Sequence, residues 1–225
     1  METTFVALIA YAVFGLTAGF SLLIMVRLEN GLEKLSAAQL EALAMQGGWY
    51  GAALIIACPL TLAVLWIAIR MAGRDFAEYL ALNWPSRDKL MRAFVGAAII
   101  LLAEFVLWSS GSSSQPLFTV KGPGGLLALL IGGCIAGPIM EEFVFRGFMF
   151  RGWSESFLGP VGAIVLTSAL WGMYHTQYDW SARVWIFVLG LAICTFRWRT
   201  KSTWLTVIVH SAINMVFFFT SGPYV

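Results

Sequence analysis

Charge is what this sequence has least of. Only 12% of its 225 residues are Asp, Glu, Lys or Arg, against 60% that are apolar, and so few charges cannot clothe the surface of a water-soluble domain. A mean hydropathy of +0.81 points the same way. The net charge of +2 is too small to indicate nucleic acid or a strongly acidic partner. Cysteine is scarce as well: Cys58, Cys134 and Cys194 each lie in an apolar run without C-x-x-C spacing. That excludes a disulfide framework and a thiolate zinc cage, and leaves three small buried hydrophobes. There is no H-E-x-x-H pair to place two metal ligands on one helix, no visible internal repeat, and a total of two histidines, His175 and His210.

What the chain has in quantity is apolar runs of spanning length. About 20 such residues cross the hydrocarbon core as a helix. Candidate spans are Thr3–Val26, Trp49–Ile69, Ala93–Ser109, Leu126–Phe150, Val161–His175, Val184–Phe196 and Trp204–Phe219. The expected fold class is therefore an all-α integral membrane protein of about seven transmembrane helices. The first run has no basic segment before it and no A-x-A-like site after it, and is longer than a signal-peptide core, so it is expected to be retained. Arg27–Gly47 reads as a mixed-charge, partly helical loop, and Gly111–Gly125 as a loop rich in Ser, Gly and Pro.

Arg70, Arg74, Arg87, Lys89 and Arg92 make residues 70–92 the densest basic stretch, cytoplasmic by the positive-inside rule. Within it, Phe76–Trp84 is predicted to be a short interfacial helix ended by Pro85, with Ser86 and Asp88 capping the next span. With the N-terminus in the cytoplasm, ten Lys or Arg fall inside and four outside; the C-terminus is then outside. Residues 1–92 form an N-terminal two-span region with the basic loop and interfacial helix, and residues 93–225 hold the polar motifs.

Those motifs begin at Gly137-Pro138-Ile139-Met140-Glu141-Glu142-Phe143-Val144-Phe145-Arg146-Gly147. Two carboxylates and an arginine inside a membrane span are costly, so they are by default a functional site. On a helix Glu142 and Arg146 are i and i+4 and neutralise each other, whereas Glu141 points about 100° away and stays the free carboxylate. Pro138 removes a backbone bond to Cys134, so a bend is expected one turn before the glutamates, and Gly133-x-x-x-Gly137 allows a neighbouring helix to approach. Glu104, in the third span, reads as an acid reaching headgroup water.

E-E-x-x-x-R followed by Gly resembles the first motif of the CAAX protease and bacteriocin-processing family of intramembrane endopeptidases (CPBP/Abi; CAAX prenyl protease type II-like). Trp171-Gly172-Met173-Tyr174-His175 is similar to its second motif, Phe or Trp then three residues then His, and His210-Ser211-Ala212-Ile213-Asn214 to its third. The resemblance covers roughly residues 76 to 220 and implies a protease core within 93–225, with the catalytic cluster on the fourth, fifth and seventh spans. It implies catalytic positions at Glu141, Glu142, Arg146, His175, His210 and Asn214, a membrane-lipid environment, and a membrane-associated, prenylated or leader-bearing peptide as substrate, with no nucleic acid.

The chemistry required is an activated water and a stabiliser for the oxyanion. A partly desolvated carboxylate beside a second one holds a proton tightly enough to act as base near neutrality, which suits Glu141. His175 orients the same water, and His210 with Asn214, i and i+4, donates to the oxyanion. Glu141, His175 and His210 are equally a two-histidine, one-glutamate set for catalytic zinc, so a zinc site and a metal-free glutamate mechanism both stand. The same cluster would also serve a non-catalytic transporter or a bacteriocin-immunity scaffold, but transporters show repeats or paired broken helices, and one broken helix is read here. At about 1.5 Å per residue, Glu141 and His210 fall roughly 8 to 9 Å from the inner surface and His175 about 21 Å. That mismatch requires a fifth helix that starts below the membrane plane, or a tilted one.

Overall fold

The computed structural model describes residues 2–31, 36, 39, 46–108 and 118–220. Most of the Arg27–Gly47 loop, the Gly111–Gly125 loop up to residue 117, and the C-terminus beyond Thr220 lie outside the described residues. Helices run over Glu2–Asn30 (α1), Gly47–Met71 (α2), Phe76–Tyr79 (α3), Arg87–Trp108 (α4), Gly122–Ser154 (α5), Gly159–Tyr174 (α6), Trp180–Thr200 (α7) and Thr203–Thr220 (α8). No strand occurs among the described residues. In α1, α2, α5, α7 and α8 there is enough length and apolar character to cross a membrane, and α6 is a shorter apolar helix. Charges at Arg87, Asp88, Lys89 and Arg92 set α4 apart, yet its Val95, Ile99, Leu102 and Val106 are exposed on one stripe, as a lipid-facing helix requires. The fold is that of an all-helical, multi-pass membrane protein.

The chain divides into two compact units. The first comprises Met1–Ala7, Leu65–Ser113 and Glu141–His210; the second comprises Leu8–Val64, Ser114–Met140 and Ser211–Val225.

In the second unit α2 and α5 touch backbone to backbone. A Cβ on Gly51 would lie 2.1 Å from the Ala128 carbonyl oxygen, and one on Gly132 would lie 2.3 Å from that of Gly51. The close approach is made by Gly132 and not by the Gly133-x-x-x-Gly137 pair, because Gly132 is the glycine turned toward α2. Just beyond, residues Gly132–Ala136 are wound as a π-turn, with the Gly137 N–H reaching back to the Gly132 carbonyl. This widening follows from Pro138. The Gly133 carbonyl loses its α-helical partner to Gly132, and its π-register partner would be residue 138, which has no N–H.

In the first unit α6 and α7 pack around Phe150, Ala163, Ile164 and Cys194. A Cβ on Gly190 would stand 3.0 Å from Ser168 Cβ and 3.1 Å from the Trp171 ring, so glycine there sets how closely α7 seats against Trp171. Asp179 caps α7, its side chain accepting from the Ala182 N–H at 2.9 Å. The Ser181 hydroxyl, followed by that N–H, holds the Asp179 carboxyl below the usual carboxylate range.

The predicted helix Phe76–Trp84 is shorter than expected. It runs from the Asp75 cap to Tyr79, after which Ala81 turns to a left-handed φ of 50°. Leu82 then pairs with Ser202, the Thr203 N–H donates to the Ala81 carbonyl at 3.0 Å, and Asn83 Nδ2 donates to the Lys201 carbonyl at 2.8 Å. Tertiary pairing with the α7–α8 turn outcompetes continued helix.

Candidate active site

The motif helix is π-wound again over Phe143–Met149, and every residue of that stretch is buried. Phe143 packs against Phe76 and Trp204 and Phe148 against Tyr79, so these aromatics are packing residues. Glu142 and Arg146 are both 0% exposed, joined by Arg146 Nη1 to Glu142 Oε1 at 3.1 Å. His210 Nδ1 lies 2.9 Å from that same Oε1, and the carboxylate accepts from both. Glu142 is therefore a structural anchor linking α5 to α8.

Glu141 faces elsewhere and keeps partial exposure. Its Oε2 accepts a 2.6 Å hydrogen bond from the Trp171 indole N–H. Trp171, 2% exposed, organises the cluster. The Arg146 guanidinium lies 4.1 Å over its ring, a strong cation–π distance, and the imidazoles of His175 and His210 each meet it edge-on with centroids 5.2 Å apart.

His175 ends α6, and its Nδ1 lies 2.7 Å from the Trp171 carbonyl. A carbonyl only accepts, so Nδ1 carries the proton and the Nε2 of a neutral ring is an acceptor. Arg183 clamps the loop after it, donating to the carbonyls of Thr176 at 2.7 Å and Tyr178 at 2.8 Å. Tyr178 stacks on His175 with centroids 6.1 Å apart; burial, and after it the Glu141 charge, push the Tyr178 phenol up. In α6, which starts at Gly159, the residue that meets Glu141 is Trp171, and His175 lies one turn further on, bonded back to the Trp171 carbonyl.

Glu141, Glu142, Arg146, His175 and His210 all belong to the first unit. Asn214 belongs to the second, where its Nδ2 donates to the Gly133 carbonyl at 2.9 Å, the group that Pro138 leaves without a helical partner. Glu104 is half-buried on α4 and enters none of these bonds. Zinc would need three of these donors gathered around one point, and no group of three or more His, Cys, Asp or Glu among the described residues is placed to hold a metal ion. The residues present do not fit a zinc ion in this arrangement.

Two contributors escaped the sequence reading. Trp171 enters the sequence reading only as the aromatic of the second motif, although of the two aromatics allowed at that position only Trp offers an N–H. Arg183 lies in none of the three motifs. Trp171→Phe keeps a ring for Arg146 but removes the donor to Glu141. A hydrogen bond to a charged group contributes about 1.5–3 kcal/mol, and the smaller ring leaves a void at a buried position, so a clearly lowered melting temperature in detergent is expected.

An all-helical membrane protein with a buried carboxylate, histidine and arginine cluster is the class that fold and site define. Residues 123–216 match the family model described as type II CAAX prenyl endopeptidase Rce1-like. That segment carries all three motifs, and the resemblance read from them is borne out over it. Neither the curated proteins nor the solved structures include a match to the chain.

Proposed function

We propose that the protein is an intramembrane endopeptidase that hydrolyses a peptide bond of a membrane-associated, prenylated or leader-bearing peptide, with Glu141 activating water. The observation that carries this reading is the division of labour around Trp171. One carboxylate, Glu142, is 0% exposed and neutralised through Oε1 by Arg146, with His210 on the same oxygen, while the other, Glu141, keeps partial exposure, has no cationic partner among its hydrogen bonds and is held in place by a single N–H. A carboxylate so held has lone pairs left to take a proton from water, as a general base must. The acceptor Nε2 of His175 suits the orientation of that water.

His210 has the complementary character. With Nδ1–H given to Glu142, it donates from Nε2 only as imidazolium, a cation suited to a developing oxyanion. Asn214, in the second unit, retains one amide hydrogen beyond the one given to Gly133, and the motif resemblance alone gives it an oxyanion role. No step passes through a metal. Exhaustive chelation of the purified protein is expected to leave peptide cleavage unchanged, with elemental analysis finding no stoichiometric zinc; loss on chelation and recovery with zinc would make Glu141, His175 and His210 ligands.

The proposed orientation puts residues 70–92 in the cytoplasm and the C-terminus outside. The three native cysteines are buried, which leaves introduced ones readable. Ser86→Cys is expected to react with an impermeant maleimide only from the cytoplasmic side, and a cysteine within 111–121 only from outside. The reverse pattern would invert the topology.

A further inference from the structure

A second polar site lies in the first unit, away from the Glu141 cluster. A cavity of about 450 Å³ opens where α5 and α7 end and α6 begins, lined among others by Glu78, Arg151, Glu155, Arg197, Trp198 and Lys201. The candidate spans of α5 and α7 stop at Ser154 and Thr200, so the cavity sits at headgroup level.

Its charges are unbalanced. Arg151 and Glu155 satisfy each other. Arg197 is 2% exposed, and among the described residues its one hydrogen bond runs from Nε to Thr203 Oγ1 at 2.9 Å, with the guanidinium 5.5 Å over the Phe150 ring. Its Nη groups have no acceptor and it forms no ion pair, although Glu78 lines the same cavity. A buried guanidinium without a counter-ion is unfavourable unless an anion completes it.

The backbone adds an independent sign. Ala81 and Lys201, with φ of 50° and 55°, are the non-glycine residues in the left-handed region among the described residues, and both line this cavity. Such strain collects at binding sites, where surrounding structure holds it, here the hydrogen bonds between residues 80–83 and 201–203. Lys201 occupies the helix-ending position where glycine fits without strain; lysine there adds a second cation at the mouth.

We propose that this cavity binds a phosphate group, that of an anionic phospholipid headgroup, with the Arg197 guanidinium and the Lys201 ammonium as its ligands. Guanidinium forks match phosphate oxygens, and Trp198 beside them is the side chain that favours the headgroup layer.

The test is thermal stability of the purified protein in neutral detergent during titration with dihexanoyl phosphatidylglycerol, dihexanoyl phosphatidylcholine or inorganic phosphate. The expected result is a saturable rise in melting temperature with phosphatidylglycerol, at an affinity weakened roughly tenfold or more by Arg197→Gln and by Lys201→Asn. Asn tolerates the left-handed backbone, so Lys201→Asn keeps the test decisive if Arg197→Gln fails to fold. Arg199→Gln, exposed and outside the cavity, is expected to leave the affinity unchanged. No saturable effect, or Lys201→Asn binding as well as wild type, would overturn the site. Equal affinity for phosphatidylcholine, or equal weakening by Arg199→Gln, would overturn specific anion recognition, and inorganic phosphate binding as tightly as phosphatidylglycerol would overturn the lipid assignment.

Discussion

Purified Glu141→Gln protein is expected to lose peptide cleavage by at least about a hundredfold, the usual scale of a general base, while its yield and melting temperature stay at the wild-type level. The reason is local. Glutamine has the same length, and its amide oxygen accepts the 2.6 Å bond from the Trp171 indole as the carboxylate does, so the packing around Trp171 is kept. Only the capacity to take a proton is removed. Substantial turnover by this variant would mean that Glu141 is not the base and would leave His175 as the remaining acceptor in the cluster.

Arg146→Ala is expected to fail earlier, at folding. It removes the guanidinium that stacks on Trp171 at 4.1 Å and strands Glu142, which is 0% exposed, with His210 as its remaining partner. Breaking one side of a buried pair costs about 3–5 kcal/mol, a large part of a total stability of roughly 5–15 kcal/mol. Low yield in detergent and a sharply reduced melting temperature should result. The double variant Glu142→Gln with Arg146→Gln is expected to recover part of that stability without recovering activity, because no uncompensated charge is left. Arg146→Ala protein as stable as wild type would show that the pair does not anchor α5.

A good deal of this arrangement is local in sequence and legible there. The apolar runs mark the helices because a backbone in hydrocarbon has to satisfy its own hydrogen bonds. Glu142 and Arg146 pair because residues four apart share a helix face. The same rotation turns Glu141 away from both. Pro138 disturbs the turn before the glutamates because it lacks an N–H, although the chain answers with a π-turn.

Tertiary structure decided what depends on the offset and rotation of one helix against another. The spacing of the motifs does not say that Glu142 would be shared with His210, nor that the Trp171 indole would end at Glu141, since a shift of one residue in α6 would send that N–H elsewhere. Asn214 reads as an oxyanion donor from its place one turn after His210, yet one of its hydrogens goes to the Gly133 carbonyl, distant in sequence. The left-handed Ala81 and Lys201 likewise exist only because the α3–α4 segment pairs with the α7–α8 turn. Composition and periodicity determined that this chain is a bundle of membrane helices and which residues would bring charge into it. Which distant side chains meet those charges, His210 at Glu142 and the Trp171 indole at Glu141, was decided by packing, because partners far apart in sequence meet only once the helices are fixed side by side.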